Sequence, residues 1–118
     1  MEIAKKLFVG DDIVAFNSSD INLKENLVVI PNAVDKVGLM TGYTYTWKTE
    51  NYNDTDHTTI VGEADTGVIA QDVEALGLPG ITTTRDDGTK AVRYERLVPI
   101  LIQAVKELSV RVATLESS

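Results

Sequence analysis

The chain has 118 residues, 43% hydrophobic and 25% charged, with a net charge of −7 at pH 7, no cysteine and one histidine. That is enough for one small domain with a modest core, and the ordinary composition speaks against wholesale disorder. The acidic balance speaks against a nucleic-acid or anionic-membrane surface, the missing cysteines exclude disulfides and thiolate metal sites, and neither a metal nor a cofactor is expected.

The opening "MEIAKKLFVGDD" has too short an apolar run, and the wrong order of charges, for a secretory signal. No stretch approaches the roughly 20 apolar residues needed to span a bilayer, so a soluble, cytosolic product is expected. Two short strand-like runs, "LFV" and "IVAF", flank the turn former "GDD". The apolar "LVVI" leads to Pro31, after which "NAVDKVGLM" predicts one or two helical turns ending near Gly38. In "TGYTYTWK" the alternation puts Tyr43, Tyr45 and Trp47 on one face of a half-buried strand.

Residues 49–59, "TENYNDTDHTT", read as a polar loop or hairpin tip. "TGVIAQDVEALGLPG" passes into a helix with Gly77, Pro79 and Gly80 as stop signals, and Asp87-Gly88 sits between two strand-like runs as a hairpin turn. The last segment is the most periodic. Val98, Val105 and Val112 are seven apart, and Leu101, Leu108 and Leu115 follow each by three, the a/d pattern of a coiled coil. Pro99 stands near its start, where a missing N–H does least harm. Two readings stay open: a helix packed on its own domain, or a coil between chains, which at this length needs support from the rest of the domain.

Three constellations carry possible chemistry. Ser19 and Lys24 are five residues apart, and a neutral lysine is a known general base for serine. Spacing alone favours the plainer alternative, in which Ser18, Ser19 and Asp20 form a turn or cap and Lys24 is solvated. Asp54, Asp56, Glu63 and Asp65 do not have the spacing of an EF-hand loop and read as a solvated tip. The aromatic stripe of Tyr43, Tyr45 and Trp47 reads as a face packed on the core before it reads as a carbohydrate or partner surface.

Four segments in order, "SSDINLKEN", "VDKVGLMTGYTYTWK", "GVIAQDVEAL" and "AVRYERLVPILIQAVKELSVRVATLE", resemble the C-terminal intramolecular chaperone and auto-processing domain of phage tailspikes and tail fibres. Endosialidase tailspikes and neck appendages carry that module, and a related one occurs in myelin regulatory factor. One departure is Asn22, where the family commonly has an arginine before "LK"; the Ser19–Lys24 pair is untouched, but any contact of that arginine is missing.

The resemblance implies an α+β fold of small hairpins and short helices, with a long C-terminal helix in a trimeric coiled coil through Val98, Leu101, Val105, Leu108, Val112 and Leu115. It implies residues 1–19 as the end of a mature fibre used in virus–host attachment and residues 20–118 as the chaperone. The implied partners are two further copies and the upstream fibre of the same polypeptide, with no nucleic acid or membrane. Assembly would take place in the host cytoplasm, with the chaperone absent from the mature virion. Ser19 is the implied nucleophile and Lys24, buried and neutral, its base, in a single-turnover cut between Ser19 and Asp20.

Attack by Ser19 on its own carbonyl closes a strained four-membered ring. Attack on the preceding carbonyl would close a five-membered ring and cut between Ser18 and Ser19, while a hydroxyl from a neighbouring chain avoids the strain. Two alternatives remain at this level: a trimerisation module without active protease, and the processing domain of a membrane-anchored transcription factor.

Overall fold

A computed structural model describes residues 16, 18–48 and 62–118. The predicted runs "LFV" and "IVA" and the polar loop at 49–59, with Asp54, Asp56 and the single histidine, lie outside the described residues. The chain divides into two compact units, Met1–Val28 with Thr46–Glu63, and Val29–Tyr45 with Ala64–Ser118.

In the first unit a 3-10 turn spans Ile21–Leu23. Trp47 and the segment at Gly62 and Glu63 exchange backbone hydrogen bonds, Trp47 N–H to the Glu63 carbonyl at 2.9 Å and Gly62 N–H to the Trp47 carbonyl at 3.0 Å. Ile21, Leu23, Leu27 and Val28 of this unit are all at least 63% exposed.

The second unit begins with the predicted short helix, α1 (Ala33–Gly38). Asp35 in its first turn and Lys36 in its last match the helix dipole. The preceding Asn32 is left-handed, with φ 52°, and its side chain makes no capping hydrogen bond. The cap comes instead from Glu107, 74 residues on, whose carboxylate accepts from Ala33 N–H at 2.7 Å and Val34 N–H at 3.0 Å. Strands β1 (Tyr43–Thr46) and β2 (Ala64–Gly67) pair in a two-stranded sheet. Tyr45 and Trp47 are half-buried while Tyr43 is exposed, so the expected aromatic face is covered over only part of its length.

Helix α2 (Ala70–Glu74) is shorter than its apolar lead-in suggests. Gly77 N–H closes it onto the Glu74 carbonyl at 3.1 Å, with φ +72°, a conformation that costs a residue with a Cβ and not glycine. The predicted hairpin is β3 (Thr82–Thr84) against β4 (Lys90–Val92), antiparallel, with Thr83 opposite Ala91. Its loop is one residue longer than the tightest Asp-Gly turn. Gly88 N–H reaches the Arg85 carbonyl, Arg85 N–H reaches the Thr89 carbonyl, and Gly88 takes φ +89°, the bulged arrangement of three-residue hairpins. Asp87 Oδ1 accepts from both the N–H and the hydroxyl of Thr89, which ties the turn to the strand that follows.

A 3-10 turn at Tyr94–Leu97 leads into α3 (Val98–Ser117), with Pro99 in the first turn as expected. Tyr94 accepts at its hydroxyl from Val68 N–H at 3.1 Å, and that hydroxyl occupies the space a side chain at Gly67 would need. The core is two small clusters. Ala33 of α1, Leu76, Ile100 and Ala104 form one; Val73, Ile81 and Leu97 form the other, and Met40 and Leu78 pack against both. Burying Ile100, 0% exposed, contributes about 1.5–3 kcal/mol.

The architecture is therefore α+β: short hairpins, short helices and one long C-terminal helix. Leu97, Ile100, Ala104 and Glu107 follow at intervals of three and four, so one stripe of α3 faces α1 and the core. The a/d stripe is a different one. Val98, Leu101, Val105, Leu108, Val112 and Leu115 are 46–73% exposed, so the residues that make α3 periodic are not the ones that hold it to its own unit. Among the described residues no helix is long and apolar enough to cross a membrane.

Candidate functional site

Fully extended, residues 19 and 24 would lie about 17 Å apart, beyond the reach of two side chains in contact. The 3-10 turn between them removes that distance. Asp20 is its cap: extended at φ −68°, ψ 133°, it accepts from Asn22 N–H at its side chain (2.9 Å) and from Leu23 N–H at its carbonyl (3.0 Å). Lys24 N–H then closes on the Ile21 carbonyl at 3.1 Å, and the chain leaves extended. The result is a side-chain hydrogen bond in which Lys24 Nζ donates to Ser19 Oγ at 2.7 Å.

An ammonium at that distance donates to the hydroxyl, whereas a neutral amine in the same place would accept its proton, as a general base does. The turn-and-cap reading of Ser18, Ser19 and Asp20 and the paired reading of Ser19 and Lys24 are thus one structure, because the cap is what folds the lysine back. Ser19 and Lys24 are both exposed in the single chain, so nothing among the described residues of one chain buries the lysine. The apolar side chains available to bury it, Ile21 and Leu23, point into solvent as well, at 63% and 73% exposed.

Residues 19–82 match the family described as chaperone of endosialidase. The chain belongs to that family. The match starts at Ser19, whose hydroxyl accepts from Lys24. Long tail fiber protein Gp37 of Enterobacteria phage K3 is 34% identical over 106 residues, which cover 84% of this chain and 8% of that protein. The protein of the same name from Enterobacteria phage T2 is also 34% identical over 106 residues, covering 84% of this chain and 7% of its own. This member of the chaperone of endosialidase family therefore spans less than a tenth of the length of those relatives.

The other candidates behave differently. Of the acidic set, Glu63 and Asp65 are described: Glu63 accepts Trp47 N–H at its carbonyl, and Asp65 accepts Thr66 N–H at its side chain. Among the described residues no three histidines, cysteines or carboxylates gather in a group that could hold a metal ion. Tyr45 meets Tyr94 over Gly67, and burial first, then Asp65 and Tyr94, push its phenol above the usual value. Along α3 a shallow groove lined by Val105, Leu108, Ser109 and Val112 follows the a/d stripe.

Glu107, which caps the start of α1, is the side chain that sequence reasoning passed over. Its partner lies 74 residues away, and nothing local distinguishes it from a solvated glutamate of a long helix. The sequence carried no signal for it, because Asn32 is itself a favoured cap residue and only the structure shows that its side chain does not cap.

Proposed function

We propose that the chain is the intramolecular chaperone of a phage tail fibre or tailspike, which trimerises, sets the register of three fibre chains, and releases itself by Ser–Lys autoproteolysis. The observation that carries this reading is the 2.7 Å contact of Lys24 Nζ with Ser19 Oγ, in a family whose match begins at that serine. The relatives' identity as long tail fibre proteins supports the fibre as client, and the exposed a/d stripe supports the coil.

Joined ends raise the local concentration of each fibre chain for the others and lower the entropic barrier to non-local pairing. On this reading residues 1–19 stay with the fibre and 20–118 leave as the chaperone. The work takes place in the host cytoplasm during virion assembly, and the fibre, once its template has gone, is kinetically trapped.

In the reaction, neutral Lys24 takes the proton of a Ser19 hydroxyl as its oxygen bonds to the Ser19 carbonyl carbon. The tetrahedral intermediate collapses with cleavage of the C–N bond to Asp20, and the lysine returns the proton to the departing amine. Water then hydrolyses the ester. A hydroxyl supplied by a neighbouring copy avoids the four-membered ring that attack on the serine's own carbonyl would close. A lysine in water is protonated, so activation requires desolvation. In the trimer, neighbouring copies covering Ile21 and Leu23 supply it, and cleavage waits for assembly.

The test is intact-mass spectrometry of freshly purified protein beside Ser19→Ala and Lys24→Ala. The expected result is a fragment beginning at Asp20 in the wild type and none in either variant. A fragment beginning at Ser19 would move the cut to the preceding bond and favour the five-membered acyl shift. An uncut wild type leaves a trimerising chaperone without protease activity.

A further inference from the structure

We infer that Glu107 is a clasp that locks α1 onto α3, fixes the rotation of α3 about its own axis, and opens in acid. Three observations lead there. Asn32 leaves the start of α1 without a side-chain cap, and its left-handed backbone is held in place by no side-chain bond of its own. Glu107 reaches across from α3 with both oxygens, Oε2 to Ala33 N–H and Oε1 to Val34 N–H. And Ala33, the residue so gripped, is 0% exposed and packs with Ile100 and Ala104, the residues on the same stripe of α3 as Glu107.

A single hydrogen bond would leave α3 free to pivot. Two bonds from one planar carboxylate to successive N–H groups define a direction as well as a distance. Combined with the Ile100–Ala104 contact one and two turns earlier, they fix both the slide and the roll of α3 against α1. The carboxylate also sits at the positive end of α1, so its charge contributes as well as its geometry.

The charged groups acting on Glu107 are Arg111, one turn on in α3, and Lys36 in α1, both cations. The N–H bonds of Val34 and then Ala33, with smaller help from these cations, hold the Glu107 carboxyl below the usual carboxylate range, against a smaller opposing effect of burial. A depressed folded value means that the stabilisation is complete above the ordinary glutamate value and is lost as pH falls through the depressed one. At neutral pH the clasp is closed. In acid the oxygens lose their charge and the grip on the two N–H groups is released, while the uncharged Ala33–Ile100–Ala104 packing and the helix of α3, whose own backbone bonds are untouched, persist. On the trimer reading, on which this one consequence rests, the roll set by Glu107 is what turns Val98, Leu101, Val105 and Leu108 away from the unit and toward the partner copies.

Amide hydrogen exchange on the whole chain tests this, at Ala33 and Val34 and along α3, from pH 7 to about pH 3, corrected for intrinsic rates. The expected wild-type result is protection at Ala33 and Val34 that falls in acid before that of α3. In Glu107→Ala those two amides should lose roughly ten- to hundredfold protection at neutral pH, the range of a hydrogen bond to a charged group. Glu107→Gln, which keeps the shape and one acceptor, should be intermediate and insensitive to acid over this range. Wild-type protection at both amides in Glu107→Ala, or an unchanged acid profile in Glu107→Gln, would overturn the clasp. These amides report on α1 in any oligomeric state, so failure of the clasp is separable from failure of the trimer reading, which sedimentation of the wild type decides.

Discussion

The turn at Ser19–Lys24 and the α1–α3 interface are built in opposite ways. The turn is local: four hydrogen bonds within residues 19–24 set the serine and lysine in contact, and no buried side chain takes part. The α1–α3 interface joins residues more than sixty positions apart, through Ala33, Ile100, Ala104 and the carboxylate of Glu107, and depends on a core. A contact built from a short turn needs no core to form. On the proposed function the turn supplies the geometry of the pair, and the dry environment it needs would come from neighbouring copies.

The comparison predicts which changes act on one region and spare the other. The largest effect is expected from charges on the outer stripe of α3. If the proposed trimer forms through that stripe, Leu101→Asp with Leu108→Asp should leave the mass of a single chain by sedimentation, while the circular dichroism of the helix is largely kept. Cleavage should then fall at least a hundredfold, about 3 kcal/mol on the barrier, because Lys24 stays hydrated. A monomer that cuts at the normal rate would break the comparison, since the turn would then suffice alone.

Ile100→Ala attacks the other region. It removes a fully buried side chain and should destabilise the second unit by about 2–5 kcal/mol in thermal or urea unfolding. The Ser19–Lys24 hydrogen bond has no share in that core, so a peptide covering residues 16–28 should show the same turn contacts by nuclear Overhauser effects as the full chain at low temperature.

The smallest effect is expected at Lys90, whose ammonium lies 2.9 Å from Glu74 and also donates to Thr84. The side chains are 25% and 48% exposed, so solvent screens the pair, and Lys90→Ala should change stability by less than about 1 kcal/mol. A larger loss would show that the β3–β4 hairpin is held to α2 by charge more than by Val73 and Ile81.

Much of the local structure was legible from residue order. The helix after Pro31, the stop at Gly77, the hairpin about Gly88 and the long helix begun at Pro99 each follow from a constraint within a few residues: a left-handed glycine, a missing N–H, a period of seven. The Ser19–Lys24 pair was legible only as a spacing that a solvated turn shares; the family resemblance singled it out, and the Asp20 cap explains why the two side chains meet. The exposure of Lys24 was not legible, because burial belongs to the surroundings and not to the turn.

The C-terminal helix shows where the division falls. Its periodicity is a property of side chains spaced along one backbone, so the sequence by itself determined that α3 is a helix with an apolar stripe at Val98, Leu101, Val105, Leu108, Val112 and Leu115. Which stripe faces the unit's own core was decided only in three dimensions. Ile100 and Ala104 fit against Ala33, and Glu107 supplies the two acceptors that Asn32 does not, so the packed stripe is the smaller-residue one and the a/d stripe is left outside. The physical reason is that period depends on local geometry, whereas orientation depends on which distant groups need what the helix carries.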